Sequence, residues 1–277
     1  MKTRLRTSTT SNMKKIKKML EPQLLYYDMA ERVTAFSSKR HGGVSEGSFA
    51  SFNINAYCGD NPEHIAKNRQ ALCKLLHIKP DRLIMPHQVH GTGVTQISKT
   101  FFLLNEDIRH SVTEGIDALI TNVPGVCIGV STADCIPIIL YDPQHHAAGV
   151  VHSGWRGTVA DIVEAAVTSM VRSYHSRPDG LLAVIGPGIS RCNFEVGDEV
   201  YEAFSEAGYP MDAIAERKEK WHIDLPKCCQ LQLETAGILS ANIHITDICT
   251  YDQSDDYFSA RKLGTSSGRI FTGIVLR

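Results

Sequence analysis

Val150-Val151-His152-Ser153-Gly154-Trp155-Arg156-Gly157-Thr158 is an apolar run that feeds a glycine turn and opens a helix. A passage from strand to helix puts His152, Trp155 and Arg156 at a strand end, where chain geometry commonly gathers chemistry. The helix is expected to begin near Thr158, with Thr158 as its cap. Ile162, Val163, Ala166, Val167, Met170 and Val171 follow at helical spacing as a core-facing stripe. The start of that helix offers backbone N–H groups and a positive dipole end to an anion, and Arg156 reinforces it.

Two other stretches converge on this one: His87-Gln88-Val89-His90-Gly91 and Ser131-Thr132-Ala133-Asp134-Cys135-Ile136-Pro137. Imidazole, thiolate and imidazole are the soft and borderline ligands that suit zinc or copper. In an extended segment residues three apart face opposite sides, so only one of His87 and His90 is expected to join such a set. Three protein ligands would leave a coordination position open, an arrangement that lowers the pKa of bound water or polarises a substrate atom. The same residues also allow a thiol hydrolase, with Cys135 as nucleophile, His152 as base and Asp134 or Asp117 as the orienting acid. Spacing alone does not separate the two.

Outward from the centre, Val126–Val130 and Ile136–Tyr141 flank the polar pentapeptide 131–135, as strands entering and leaving a buried polar pocket would. Gly115–Thr121, Leu181–Ile185, Ile243–Ile248 and Ile270–Leu276 read as further strands. Arg32–Ser37 has strand composition and stops at a Gly42-Gly43 loop, where Arg40 presents a planar fork of donors to an anion such as phosphate. Ser51–Tyr57, which contains Asn53, reads as a short strand. Asn61-Pro62 then caps and starts a helix to about Leu76, with Ile65, Leu72, Leu75 and Leu76 buried and Asn68 and Arg69 available to a site. Residues 101–114 read as a loop, 198–207 as a helix, 209–221 as an exposed charged connection, 226–237 as a helix, and Tyr257–Arg261 as a strand.

A chain of 277 residues with 43% hydrophobic and 21% charged residues describes a globular protein able to bury a large core. A formal net charge of −1 removes any broad electrostatic attraction to nucleic acid and favours small ligands. Residues 1–22 read as a basic, disordered arm ahead of one domain over 23–277. No stretch approaches the roughly eighteen apolar residues of a membrane span. Eight cysteines without CxxC spacing or a secretory signal read as reduced, mostly buried thiols, which points to the cytoplasm.

The combination HQVHG, TADCIPI and HSGWRGT resembles the laccase-domain family, also described as YlmD-like purine nucleoside phosphorylases and earlier as multicopper polyphenol oxidases. The likeness runs from about residue 30 to the C-terminus and takes in KRHGGVSEGSFASFNI, GDNPEHIAKNR, GIDALIT, GPGISRCNFEVG and FSARK. Lys39-Arg40 stands where many members have Thr-Arg. The resemblance implies a single α/β domain of mixed sheets flanked by helices, with zinc, or copper in its place, held by His90, Cys135 and His152. It also implies phosphorolysis of adenosine, inosine, guanosine and methylthioadenosine, and deamination of adenosine. On residue chemistry, Asp117 is expected to move a proton and Arg156 to join Cys135 and His152 in catalysis. Arg40, Asn53, Arg69 and Arg261 are the expected substrate or phosphate contacts. Two other activities stay open: a copper oxidase of phenols, which would need many more histidine pairs than the chain shows, and a Cys-His hydrolase of an amide or cell-wall precursor.

Overall fold

The computed structural model describes residues 21–277. The basic arm expected over residues 1–22 therefore lies, apart from Glu21 and Pro22, outside the described residues.

The chain opens with strands β1 (Leu24–Tyr27) and β2 (Val33–Ser38), then helix α1 (Pro62–Leu75), β3 (Leu83–Ile84) and β4 (Val94–Gln96). Helix α2 (Glu106–Val112) precedes β5 (Ala118–Thr121), β6 (Cys127–Thr132), β7 (Ile136–Asp142) and β8 (Ala147–Ser153). Helices α3 (Trp155–Val159) and α4 (Ile162–Tyr174) follow, then β9 (Leu182–Ile185), β10 (Glu195–Val196) and α5 (Asp198–Glu206). The last part runs through α6 (Met211–Ile214), β11 (Ala215–Arg217), β12 (Trp221–Ile223), α7 (Leu225–Thr235), β13 (Ile243–Ile245), α8 (Ala260–Leu263) and β14 (Ile270–Leu276).

Three sheets result: a five-stranded one in the order β1-β2-β14-β6-β3, a six-stranded one in the order β13-β9-β7-β8-β5-β4, and a small β10-β12-β11 sheet. The two large sheets are mixed, with β3/β6, β4/β5 and β9/β13 parallel and their other pairs antiparallel. Strand alternation sorts the core into layers. Ile139, Tyr141 and Val150 of the six-stranded sheet meet Ile128, Val130 and Ile274 of the five-stranded one. Their neighbours Ile138, Leu140 and Val151 face the other way, onto Ile162, Val163, Ala166 and Met170 of α4 and Cys229 and Leu233 of α7. On the far side, Cys127, Phe271 and Val275 pack on Leu72 of α1 and on Leu76 just beyond it. The domain is thus helix, sheet, sheet, helix, an architecture that gives each apolar face a partner. At about 1.5–3 kcal/mol per fully buried large apolar side chain, these layers are the main stabilising term.

Helix α1 begins as expected, with Asn61 accepting the Glu63 N–H and Pro62 in the first turn. Five segments differ from their sequence reading. Ser51–Tyr57 is no strand: Asn53 Oδ1 accepts the Asn55 N–H and Asn55 Oδ1 the Tyr57 N–H, so side-chain turns replace the ladder. Residues 101–114 contain α2, capped by Asn105 and carrying Glu106 and Asp107 in its first turn and Arg109 and His110 in its last. The helix expected to start at Thr158 starts at Trp155 and breaks at Asp161, whose φ is 60°. Thr158 is interior, and its hydroxyl donates to the Gly154 carbonyl instead of capping. The connection 209–221 folds into α6, β11 and the start of β12. Tyr257–Arg261 leads into α8, where Ser259 caps by accepting the Lys262 N–H.

Candidate metal centre

Strand β8 ends at His152-Ser153, and Gly154 turns the chain into α3. Strand β7 starts at Ile136 opposite Ser153, which brings Cys135 beside the end of β8. The third segment, Val89-His90-Gly91, arrives as a loop pinned to Asp117 just ahead of β5: Asp117 accepts the backbone N–H groups of Val89 at 3.2 Å, His90 at 2.9 Å and Gly91 at 2.8 Å. His90 itself takes a left-handed conformation with φ 63°. The loop is therefore not extended, although His90 alone of the two histidines joins the cluster.

One ligand atom from each of His90, Cys135 and His152 lies within 4.8 Å of the others. The two imidazoles meet edge to face with ring centroids 4.7 Å apart. His152 is buried and its Nδ1 donates to Asp117 Oδ1 at 2.7 Å, which leaves Nε2 for the cluster. Gly154 is where close approach requires glycine: a Cβ there would stand 2.8 Å from His90 Cδ2 and 3.1 Å from Cys135 Sγ. Two imidazole nitrogens and one thiolate fit a zinc-type or copper-type ion held by three protein ligands. A carboxylate behind the buried histidine is the usual way to fix the tautomer of such a ligand.

The electrostatics suit an anionic sulfur. Burial would raise the Cys135 thiol, yet the charge of His152 and hydrogen bonds from His152 and His90 bring it down to about 6. Burial would lower His152, but Cys135 and Asp117 raise it to about 9. Asp117, fully buried, would also be raised by burial; the His152 hydrogen bond and charge, with the Gly91 and Val89 N–H groups, bring it below the ordinary carboxyl value.

The other expected site residues fall into two groups. Arg156 lies two residues beyond Gly154 and Arg261 is tied to Asp134 through its backbone N–H at 2.7 Å, so both belong to segments that adjoin the cluster. Arg40, Asn53 and Arg69 make their side-chain hydrogen bonds to other partners. Arg40 donates to the Ala50 and Ser254 carbonyls and lies over Phe258, while Arg69 donates to the Leu83 carbonyl. Asn53 and Asn68 are fully buried and bind loop atoms, Asp60 in one case and Val44 and Ser45 in the other. Asp134, the other candidate to orient His152, instead accepts from Thr250 and from the Arg261 N–H.

Two contacts had no sequence signal. Gln88 clamps the end of β6, accepting the Ser131 N–H at 2.8 Å and donating to its carbonyl at 2.9 Å. His87 turns from the cluster, its Nδ1 on Glu114 and its ring stacked on Tyr57 at 4.1 Å. Amide clamps and stacked pairs between distant segments leave no periodicity to read, although both residues sit in the HQVHG stretch.

Among the described residues no helix is long and apolar enough to cross a membrane. None of the eight cysteines forms a disulfide.

Comparison with known proteins places the chain among relatives of known name and fold. A purine nucleoside phosphorylase from Bacteroides thetaiotaomicron is 41% identical over 247 residues, covering 88% of this chain and 92% of the relative. Adenosine deaminase RL5, from an unknown prokaryotic organism, is 40% identical over 247 residues, covering 88% and 94%. The crystal structure of Bacillus licheniformis hypothetical protein YfiH superposes with a TM-score of 0.84 at 26% identity, over 92% of this chain and 97% of that one. The family profile described as multi-copper polyphenol oxidoreductase laccase matches residues 34–277, and the chain belongs to that family.

Proposed function

We propose that this protein is a metal-dependent purine nucleoside enzyme, which cleaves adenosine, inosine, guanosine or methylthioadenosine with phosphate and deaminates adenosine. The observation that carries the reading is the His90, Cys135 and His152 donor set, backed by Asp117. Relatives named purine nucleoside phosphorylase and adenosine deaminase, each about two-fifths identical, supply the substrate class. Zinc suits the donors, and copper is its nearest competitor.

When bound, such an ion supplies a Lewis acid and lowers the pKa of a water molecule. The chain's own residues prepare that position. Asp117 accepts the Nδ1–H of His152 and so presents its Nε2 to the ion, and by holding three loop N–H groups it places His90 opposite. Cys135, favoured as thiolate, supplies the negative charge, and Gly154 leaves the approach open. Asp117 is enclosed by these donors, so we assign it to positioning rather than to the proton transfer that residue chemistry alone suggested.

A second reading has one observation in its favour. A thiolate beside an imidazole that is itself oriented by a carboxylate is also the arrangement of a thiol hydrolase. Such a hydrolase has no use for His90, whose hydrogen bond also lowers the thiol. A laccase-type centre would need further donor clusters, and among the described residues His90, Cys135 and His152 are the one such group. The unpaired cysteines support a cytoplasmic setting.

Phosphorus NMR of zinc-loaded protein with inosine and inorganic phosphate tests the proposal. Ribose 1-phosphate that appears with the wild type and not with Cys135→Ala supports it. Hydrolysis to free ribose, or no reaction, removes the phosphorylase half.

A further inference from the structure

Phosphorolysis needs a place for a dianion beside the nucleoside, and the metal ligands do not provide one. Arginine is the residue suited to it, because its fork of N–H donors matches a phosphate edge and its charge persists at any physiological pH. What separates one arginine from another is how much of its donor set and charge is already spent.

Arg40 spends two donors on the Ala50 and Ser254 carbonyls and is packed on Phe258. Arg69 is tied to Leu83 at the start of β3, level with Cys127 at the opposite end of β6 from the cluster. Arg156 and Arg261 differ from both. The Arg156 guanidinium lies 4.2 Å over the ring of Trp155, exposed and with no hydrogen-bond or ion-pair partner among the described residues. Stacking fixes the plane of a guanidinium and leaves its edge donors free. The Arg261 guanidinium lies 5.6 Å over Phe194 and gives one bond, from Nη1 to the Glu195 carbonyl at 2.8 Å. The carboxylate of Glu195 is taken by Lys220 at 2.9 Å. Asp134 is met by the Arg261 backbone N–H rather than by its side chain.

Both arginines are anchored within a residue or two of atoms that touch the metal ligands. Arg156 lies two residues beyond Gly154, where a Cβ would meet His90 and Cys135, and Arg261 is bonded to Asp134, the residue before Cys135. Helix α3, which carries Arg156, packs on α5, and α5 follows directly from the β10 strand that holds Arg261. Two stacked cations without carboxylate partners thus arise from segments that adjoin the metal ligands.

We propose that Arg156 and Arg261 together form the phosphate subsite, holding inorganic phosphate for attack at the anomeric carbon and then the phosphate of the sugar 1-phosphate product. The proposal rests on the nucleoside reading above. A phosphate oxygen forms its bond to C1′ as the C1′–N9 bond breaks, the electron pair leaves with the purine, and the purine takes the proton that hydrogen phosphate gives up.

The test uses the full-length, zinc-loaded protein and inorganic phosphate as the probe. Phosphate binding is measured by calorimetry, and the phosphate KM by inosine phosphorolysis, for wild type, Arg156→Met, Arg261→Met and the matching Lys variants. Zinc content and circular dichroism are recorded for each. At least a tenfold weakening of phosphate binding and rise in phosphate KM in either Met variant, partly restored by Lys, with inosine KM changed much less, is the expected result. Phosphate binding through these arginines without any nucleoside turnover would keep the subsite and reject the nucleoside reading. Unchanged phosphate affinity in both Met variants, or no phosphate binding by the wild type at millimolar concentration, overturns the subsite while leaving any observed turnover intact.

Discussion

The carboxylate of Asp117 accepts the Nδ1–H of His152 at 2.7 Å, and the same oxygen accepts the backbone N–H of His90 at 2.9 Å. One buried group therefore sets the orientation of one histidine and the position of the other. Asp117 lies just ahead of β5, which pairs with β8, so the fold brings it to His152 by strand register rather than by loop conformation.

Asp117→Asn should keep the fold and lower zinc affinity by about 10–100-fold, the usual cost of losing a carboxylate behind a ligating histidine. Competition with a chelator measures it. An affinity equal to wild type would show that the loop and ring are held by packing alone.

Gly154→Ala should also weaken metal binding. Its φ of −78° suits alanine, so backbone strain is absent and only the contacts with His90 and Cys135 suffer. Overpacking of about 1–3 kcal/mol corresponds to a loss of affinity of about 5- to 150-fold. The melting temperature of the metal-free protein should change little, and a large fall would place the clash in the fold instead of at the ligands.

Metal-free protein should carry a Cys135 thiolate at neutral pH, seen as thiolate absorbance or iodoacetamide reactivity that rises through about pH 6. The stability consequence has two arms. The Cys135 contribution is whole above the ordinary thiol value of 9.0 and is lost as pH falls through about 6. The His152 contribution is whole below 6.5 and is lost as pH rises through about 9. Both describe one ion pair, so denaturant titrations should find its stabilisation between those limits and declining on either side. A thiol that stays protonated until above pH 8 contradicts the arrangement.

Asn68→Ala should destabilise the protein by about 3 kcal/mol without altering metal affinity, because it strands several buried partners. Its Oδ1 accepts the Val44 N–H at 2.9 Å and its Nδ2 donates to the Asn53 carbonyl at 2.8 Å. Urea unfolding of metal-free protein, set beside a zinc titration, separates this role from a place in the site.

Much of the centre was legible in the sequence because the chemistry is local: an unusual ligand next to a glycine, acid or proline at the end of an apolar run marks Cys135, His152 and one of His87 and His90, between which the family resemblance chose His90. Helix α1 was legible for the same reason, since Asn61-Pro62 states its start. The arginines were not, because a guanidinium's partner is a carbonyl such as Ser254 or an aromatic ring such as Phe258 that only tertiary structure supplies. The segment 51–57 misled through its alternation, which its asparagines overrode by bonding their own backbone. The connection 209–221 folds because α6 and β11 find partners in α7 and β12, contacts that a charged surface sequence does not announce.

The most direct measurement is chromatography of adenosine incubated with metal-stripped and zinc-restored protein, with and without phosphate, beside Cys135→Ala and His152→Ala. The account predicts inosine without phosphate, and free base with ribose 1-phosphate when phosphate is present, in both cases only with zinc and with both residues intact. Adenosine left untouched by zinc-restored protein, while metal-stripped protein cleaves an amide through Cys135, would contradict it and make the thiol hydrolase the function of this site.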